Sequence, residues 1–196
     1  MKFEDYFIEG TNVLKNKLGI TDLDLLINAE GSIVLKKLAD FINLNCEFSP
    51  TSGYLCFIHK YLFDSIYDFA GKYRGVNVFK QTEFLDYNLI SSELDKVIFK
   101  YNNLDINKND KFLVAKVLGE FYRELIYIHP FREGNGRCIR EYLREFCLYK
   151  YNITLDYSKI DKKNFLLGIL DSSTYPSLLA YEIYNALNEP EKELKK

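Results

Sequence analysis

The chain has 196 residues, with 26 Lys+Arg against 28 Asp+Glu and a formal charge of −2; 47% of residues are hydrophobic and 28% charged. This is the composition of a soluble globular protein of one domain, or at most one domain with a small appendage, long enough to bury a real core. It excludes a protein built to coat nucleic acid, which needs a strong basic excess; no apolar run approaches the roughly 20 residues of a membrane helix, and the opening Met-Lys-Phe-Glu-Asp-Tyr lacks the regions of a secretory signal.

In chain order the pattern is helical. Residues 22–43 carry Leu23, Leu26, Ile27, Ile33, Val34, Leu38 and Phe41 at helical spacing behind a Thr21/Asp22 start signal. Residues 54–70 repeat Leu55, Ile58, Leu62 and Ile66. Between Gly71 and Asp86, two further features break the pattern: paired glycines and the β-prone Val76, Val78 and Phe79. That stretch reads as a short extended segment or hairpin, with a plain helix connector as the equal alternative. Helices are expected again over 86–101, 110–128 (Leu113, Val114, Val117, Leu118, Phe121, Leu125 and Ile128 behind Asn109/Asp110), 135–150, about 160–171 and 175–188. Residues 1–188 are expected to form one domain, and the charged tail 189–196 to fray. Cys46, Cys56, Cys138 and Cys147 form no CxxC pair and only two histidines are present, which argues against a zinc site or a disulfide framework. Reduced cysteines imply a cytoplasmic chain, with delivery into another cell left open.

One stretch departs from helix–loop–helix grammar: His129-Pro130-Phe131-Arg132-Glu133-Gly134-Asn135-Gly136-Arg137, continuing to Arg140. Pro130 ends the preceding helix. Gly134-Asn135-Gly136 opens the next one, where unpaired N–H groups and the helix dipole attract anions and glycine lets a phosphate approach closely. Asn135 offers a side-chain amide. Arg137 and Arg140, with Arg144, share a helix face and grip phosphate oxygens well, and two early arginines oppose the dipole unless an anion is bound. Glu133 is the loop's carboxylate, suited to the Mg²⁺ that a triphosphate carries. His129 has the pKa range of a general base. Singly, each has an ordinary reading. His before Pro caps a helix, Glu133 is a helix-start acid, and the arginines pair with Glu141 and Glu145 in a solvated face. His59, beside Ile58, reads as a partly buried structural residue. Together the loop residues describe a nucleotide cradle, a metal carboxylate and a base within nine positions.

His129 to Arg140 resembles the signature of the Fic (filamentation induced by cAMP) family, His-x-Phe-x-Asp/Glu-Gly-Asn-Gly-Arg-x-x-Arg, at every specified position. Gly10-Thr11-Asn12-Val13-Leu14, Lys17-Leu18-Gly19, Ile58-His59-Lys60-Tyr61-Leu62-Phe63, Gly71-Lys72-Tyr73-Arg74 and Val76-Asn77-Val78 are similar to that family's core. The resemblance implies an all-α Fic fold with a short β-hairpin flap. It also implies transfer of a nucleotide monophosphate, usually AMP from ATP, to a Ser, Thr or Tyr hydroxyl of a target protein. It assigns deprotonation of that hydroxyl to His129, Mg²⁺ to Glu133, the α- and β-phosphates to Gly134, Asn135 and Gly136, the β-phosphate side to Arg137 and the γ-phosphate to Arg140. Phe131 anchors the loop in the core. Val76, Asn77 and Val78 belong to the target-docking flap, and Lys80 and Gln81 cover the site.

Many family members are silenced by a helix carrying Ser/Thr-x-x-x-Glu-Gly/Asn, whose Glu pairs with the second motif arginine. No Ser or Thr here has Glu four residues later; Glu9-Gly10 has Asp5 in that place and Glu30-Gly31 has Leu26. The expectation is an inhibitory helix supplied in trans by a small antitoxin-like partner, with a degenerate internal segment or oligomerisation as alternatives. Gly134 argues against the kinase chemistry of Doc-like relatives, and the missing glutamate against AMP removal. UMP or phosphocholine transfer, or a catalytically silent regulatory protein, are the remaining readings.

Overall fold

The structure, a computed structural model, describes residues 2–44, 46–80, 82–170 and 177–188. Among the described residues seven helices dominate: α1 (Leu23–Phe41), α2 (Ser52–Phe63), α3 (Ile90–Asn103), α4 (Lys111–Ile128), α5 (Asn135–Tyr151), α6 (Lys162–Leu170) and α7 (Leu178–Ala186). The all-α expectation with a short hairpin holds. Among the described residues the strands are two antiparallel pairs. The first joins β1 (Phe79–Lys80) to β2 (Thr82–Glu83), and the second joins β3 (Thr154–Leu155) to β4 (Leu187–Asn188).

Helix starts follow local chemistry. Asp22, Thr51 and Asp110 each accept an N–H from the first turn, those of Leu25 (2.9 Å), Tyr54 (3.2 Å) and Leu113 (3.0 Å). Each such cap stabilises a helix by about 1 kcal/mol. A 3₁₀ turn, Tyr87–Leu89, leads into α3. The expected helix over 54–70 stops at Phe63. The N-terminal arm takes the carbonyls that a continuing helix would use: Lys17 N–H donates to Ile66 O (2.8 Å) and Lys17 Nζ to Asp64 O (2.8 Å). Ile66, Tyr67 and Ala70 still face the core from turns, so the apolar spacing outlasts the helix. The tail 189–196 lies outside the described residues.

Helix α4 is the hub, packed against α3, α5 and α7, while α2 joins α5 to α1. Its Leu118, Phe121 and Leu125 are fully buried. The Phe121 ring lies 4.4 Å from Tyr101 and 5.1 Å from Phe146, pairs worth about 0.5–1.5 kcal/mol each beyond area burial. Helices α6 and α7 cross at Gly168, where a Cβ would stand 2.4 Å from Leu179 N. Among the described residues no helix is long and apolar enough to cross a membrane. A short loop, residues 129–134, joins α4 to α5, two helices that each bury one whole face.

Candidate active site

His129 caps α4 in the left-handed region (φ 47°, ψ 59°), a conformation costing a residue with Cβ about 1–2 kcal/mol. Its N–H donates to Leu125 O (3.1 Å). Its carbonyl accepts Arg74 Nε (2.8 Å). Arg74 is only 2% exposed, and its guanidinium also donates to Val76 O (2.7 Å), Ile128 O (3.3 Å) and Leu85 O. Its backbone N–H donates to Pro130 O (2.8 Å). Burial pulls its pKa down, yet a guanidinium stays charged, and carbonyl dipoles compensate that charge. Arg74 therefore ties the His129 backbone to residues on both sides of the hairpin. The imidazole stacks on Phe84 (centroids 3.8 Å, 13° between planes) and Nδ1 lies 3.3 Å from Ile126 O. In the neutral ring, an Nδ1–H donated there makes Nε2 the basic nitrogen.

The rest of the loop is braced from within. His59 is 0% exposed, not partly buried as expected. Gly71 N–H donates to its Nδ1 (2.8 Å), so Nε2–H donates to the Glu133 carbonyl (2.9 Å). Burial holds its pKa down at about 4, which keeps the ring neutral. The ring stacks on the buried Phe131 (3.8 Å, 11°), the inward anchor expected of that residue. Asn135 departs from its expected amide-to-anion role. Its Nδ2 donates to Phe131 O (2.7 Å) and its Oδ1 accepts Phe131 N–H (2.8 Å), so the side chain closes the loop and only its backbone faces the helix opening. Arg132 is buried beneath Phe3, Tyr6 and Phe7, its guanidinium 4.9, 5.5 and 5.0 Å from their rings. Cation–π attraction in such a desolvated cage is worth about 2 kcal/mol per good contact. The Tyr6 hydroxyl also accepts Gly75 N–H (3.2 Å), so this N-terminal arm touches both motif loop and hairpin base.

Gly134 is required twice. Its φ is +81°, and a Cβ there would stand 2.3 Å from the Phe63 ring. No side chain caps α5, and its first intrahelical bond is Cys138 N–H to Gly134 O (3.1 Å). The N–H groups of Asn135, Gly136 and Arg137 thus precede the helical ladder and form an anion-binding end. Glu133 Oε1 accepts Gly134 N–H (2.9 Å) and lies 3.8 Å from Arg137 Nη2. The Arg137 guanidinium lies 4.9 Å from the Phe63 ring, and its Nη2 pairs with Glu30 of α1. Arg140 stands beside Tyr122, and no carboxylate among the described residues pairs with it. The ordinary alternative, Arg137 and Arg140 paired with Glu141 and Glu145 in a solvated face, is not formed among the described residues; both acids pair with Arg144.

The hairpin sits further along than Val76-Asn77-Val78. Val76 and Val78 are buried, and Asn77 is spent in a turn, donating to Asp86 Oδ2 (3.2 Å) and accepting Tyr87 N–H (2.9 Å). The strands that follow, β1 and β2, set Phe79 opposite Glu83 and Lys80 opposite Thr82. Gln81 lies outside the described residues. Sequence reasoning missed Arg74, Arg132, Phe84, Tyr67 and the reach of Glu30. Glu30-Gly31 and Gly71-Lys72-Tyr73-Arg74 were visible as short patterns, but their partners are far along the chain.

The Fic/DOC family model matches residues 49–147. The chain is similar to protein adenylyltransferase VbhT of Bartonella schoenbuchensis, 26% identical over 86% of this chain and 36% of that protein. It is also similar to a probable protein adenylyltransferase Fic of Salmonella typhimurium, 28% identical over 74% of this chain and 73% of that one. The chain therefore spans about a third of the length of VbhT. Its fold matches a crystal structure of the Bartonella tribocorum effector BepC with bound AMPPNP, at TM-score 0.82 and 22% identity, covering 96% of this chain and 98% of that one. With α2, the hairpin, α3, α4 and the whole motif loop inside the matched stretch, which is half of its length, this chain belongs to the Fic/DOC family.

Proposed function

We propose that the chain is a protein adenylyltransferase, moving AMP from ATP to a Ser, Thr or Tyr hydroxyl of a target protein, with residues 1–188 acting as one catalytic domain. His129 takes the hydroxyl proton. The oxygen forms a bond to the α-phosphorus, the bond from that phosphorus to the bridging oxygen breaks, and pyrophosphate leaves. The backbone at Gly134, Asn135 and Gly136 holds the α- and β-phosphates, Arg137 the β-phosphate side and Arg140 the γ-phosphate. Such transfer needs positioning and charge compensation more than covalent participation by the protein. The carrying observation is that a base-bearing helix cap and an uncapped helix N-terminus share one loop whose Phe131, Arg132 and Asn135 all turn inward.

Mg²⁺ enters with the triphosphate. It ordinarily takes one or two carboxylates plus phosphate oxygens and water, and Glu133, at the edge of the anion-binding turn, fits that donor set. When bound, the ion neutralises phosphate charge. The edge formed by β1 and β2 is the surface to which a target backbone adds as a further strand, with Lys80 and Gln81 over the nucleotide. Regulation is assigned to a small antitoxin-like partner that brings a glutamate to Arg140. This is supported by an Arg140 that no carboxylate of the described residues engages, while Glu30 goes to Arg137.

Labelled-nucleotide transfer into lysate with each of the four triphosphates tests the reading. ATP is expected to label a protein band, and His129→Ala to lose at least 10²-fold of the rate while AMPPNP binding stays within about twofold. Transfer that persists in His129→Ala removes the base. Labelling from UTP alone changes the donor, and none from any donor leaves a binding protein.

A further inference from the structure

We infer that Glu30 and Tyr67 are positioning residues that hold Arg137 in its phosphate-gripping orientation. The inference rests on the nucleotide reading of the α5 N-terminus. Arg137 sits in the first helical turn, where the dipole disfavours a cation, and its long side chain carries about 2 kcal/mol of rotamer entropy. Left alone it would disperse into solvent. Instead Glu30, 107 residues earlier in the chain and 8% exposed, accepts Arg137 Nη2 with one carboxylate oxygen. Its other oxygen accepts the Tyr67 hydroxyl. The carboxylate is therefore fixed from both sides. Tyr67 is 1% exposed, with its ring stacked 4.6 Å from Phe69 and 6.3 Å from Phe63. Burial and then Glu30 push its pKa up, so the hydroxyl stays a donor.

Phe63 does double service. It flanks the Arg137 guanidinium and closes the space beside Gly134, so one ring sets both the arginine and the helix start. Glu30 engages a single nitrogen of the fork, and Nε and Nη1 keep their donors for phosphate oxygens. Leu26, Val34 and Phe41, buried on the same helix, anchor α1 and so fix where Glu30 stands. Glu30 lies outside the residues matched by the family model, so an element beyond the matched stretch completes the site.

The test is calorimetric titration of the full chain with Mg²⁺–AMPPNP, comparing wild type, Arg137→Ala, Glu30→Ala, Glu30→Gln, Tyr67→Phe and the double variant Glu30→Ala/Arg137→Ala. Thermal melts accompany each. Arg137→Ala and Glu30→Ala are each expected to weaken Kd by about tenfold, and the double variant to be no weaker than Arg137→Ala alone. Glu30→Gln, which keeps an acceptor, should recover part of the loss, and Tyr67→Phe should cost about two- to threefold. If Glu30→Ala does not fold, the Gln and Phe variants carry the comparison. Wild-type affinity in the folded Glu30 and Tyr67 variants, beside a weakened Arg137→Ala, overturns the inference and leaves the nucleotide reading intact. Tighter binding or faster transfer in Glu30→Ala also overturns it, and makes the pair a restraint. An unchanged Kd in Arg137→Ala removes the nucleotide reading, and the inference with it.

Discussion

The motif loop and the hairpin are both short, both irregular and both tied to Arg74, yet they are built in opposite ways. Along the loop, Arg74 takes the carbonyls of Ile128, His129 and Pro130, Asn135 takes both backbone groups of Phe131, and His59 takes the carbonyl of Glu133. Three residues, Arg74, Asn135 and His59, thus hold the backbone from residue 128 to 133 through bonds that belong to no helix or strand ladder. The hairpin has two residues per strand and bares Phe79 at 72% exposure. The contrast separates two demands. Reacting groups must be held to a fraction of an ångström. An edge that accepts another backbone must keep its own hydrogen-bonding groups and side chains available.

That contrast can be broken, beginning where the effect is largest. Arg74→Met strands four buried carbonyls and should cost about 3 kcal/mol or more in urea unfolding, with transfer activity lost. A loss under 1 kcal/mol would show that the loop does not depend on this latch. Gly134→Ala adds a Cβ against Phe63 at positive φ, so about 2 kcal/mol of stability and most Mg²⁺–AMPPNP affinity should go; wild-type affinity would mean that the turn yields.

His59 sharpens the comparison through pH. Its folded pKa, held down at about 4 by burial, lies below the unfolded value of 6.5, so the unfolded chain binds the extra proton. Its contribution is complete above pH 6.5 and is lost as pH falls toward 4, by about 1.4 kcal/mol per unit. Unfolding titrations on His59→Gln should lack that part of the acid slope, and an identical slope would remove His59 from the account. The smallest effect belongs to the hairpin. Phe79→Ala should change stability by under about 0.5 kcal/mol while raising KM for the target protein. A large stability loss would make the hairpin structural.

Legibility follows locality. Helix α4 is readable because Asp110 and one continuous apolar stripe agree over its whole length, and the loop because His129, Glu133, Gly134, Gly136, Arg137 and Arg140 all fall between positions 129 and 140. The apolar spacing over 54–70 overstates helix α2 because it runs on past Phe63 into a segment whose carbonyls Lys17 intercepts. The pairing of β3 with β4 joins residues more than thirty apart through two-residue strands, which leave no periodic trace. The supports of the site were hidden for the same reason. Glu30, His59 and Arg74 meet the loop only through tertiary packing, and Asn135 turns inward to pair both backbone groups of Phe131.

The aromatic cage over Arg132 has a practical corollary for anyone handling this molecule. Phe3, Tyr6 and Phe7 roof a guanidinium immediately beside the loop's acid, so trimming the first seven residues would flood that spot with solvent and loosen the motif loop more than a hundred positions away. An affinity handle or reporter fused there is an intervention in the motif loop, and an assay relying on it should be repeated with the label placed elsewhere.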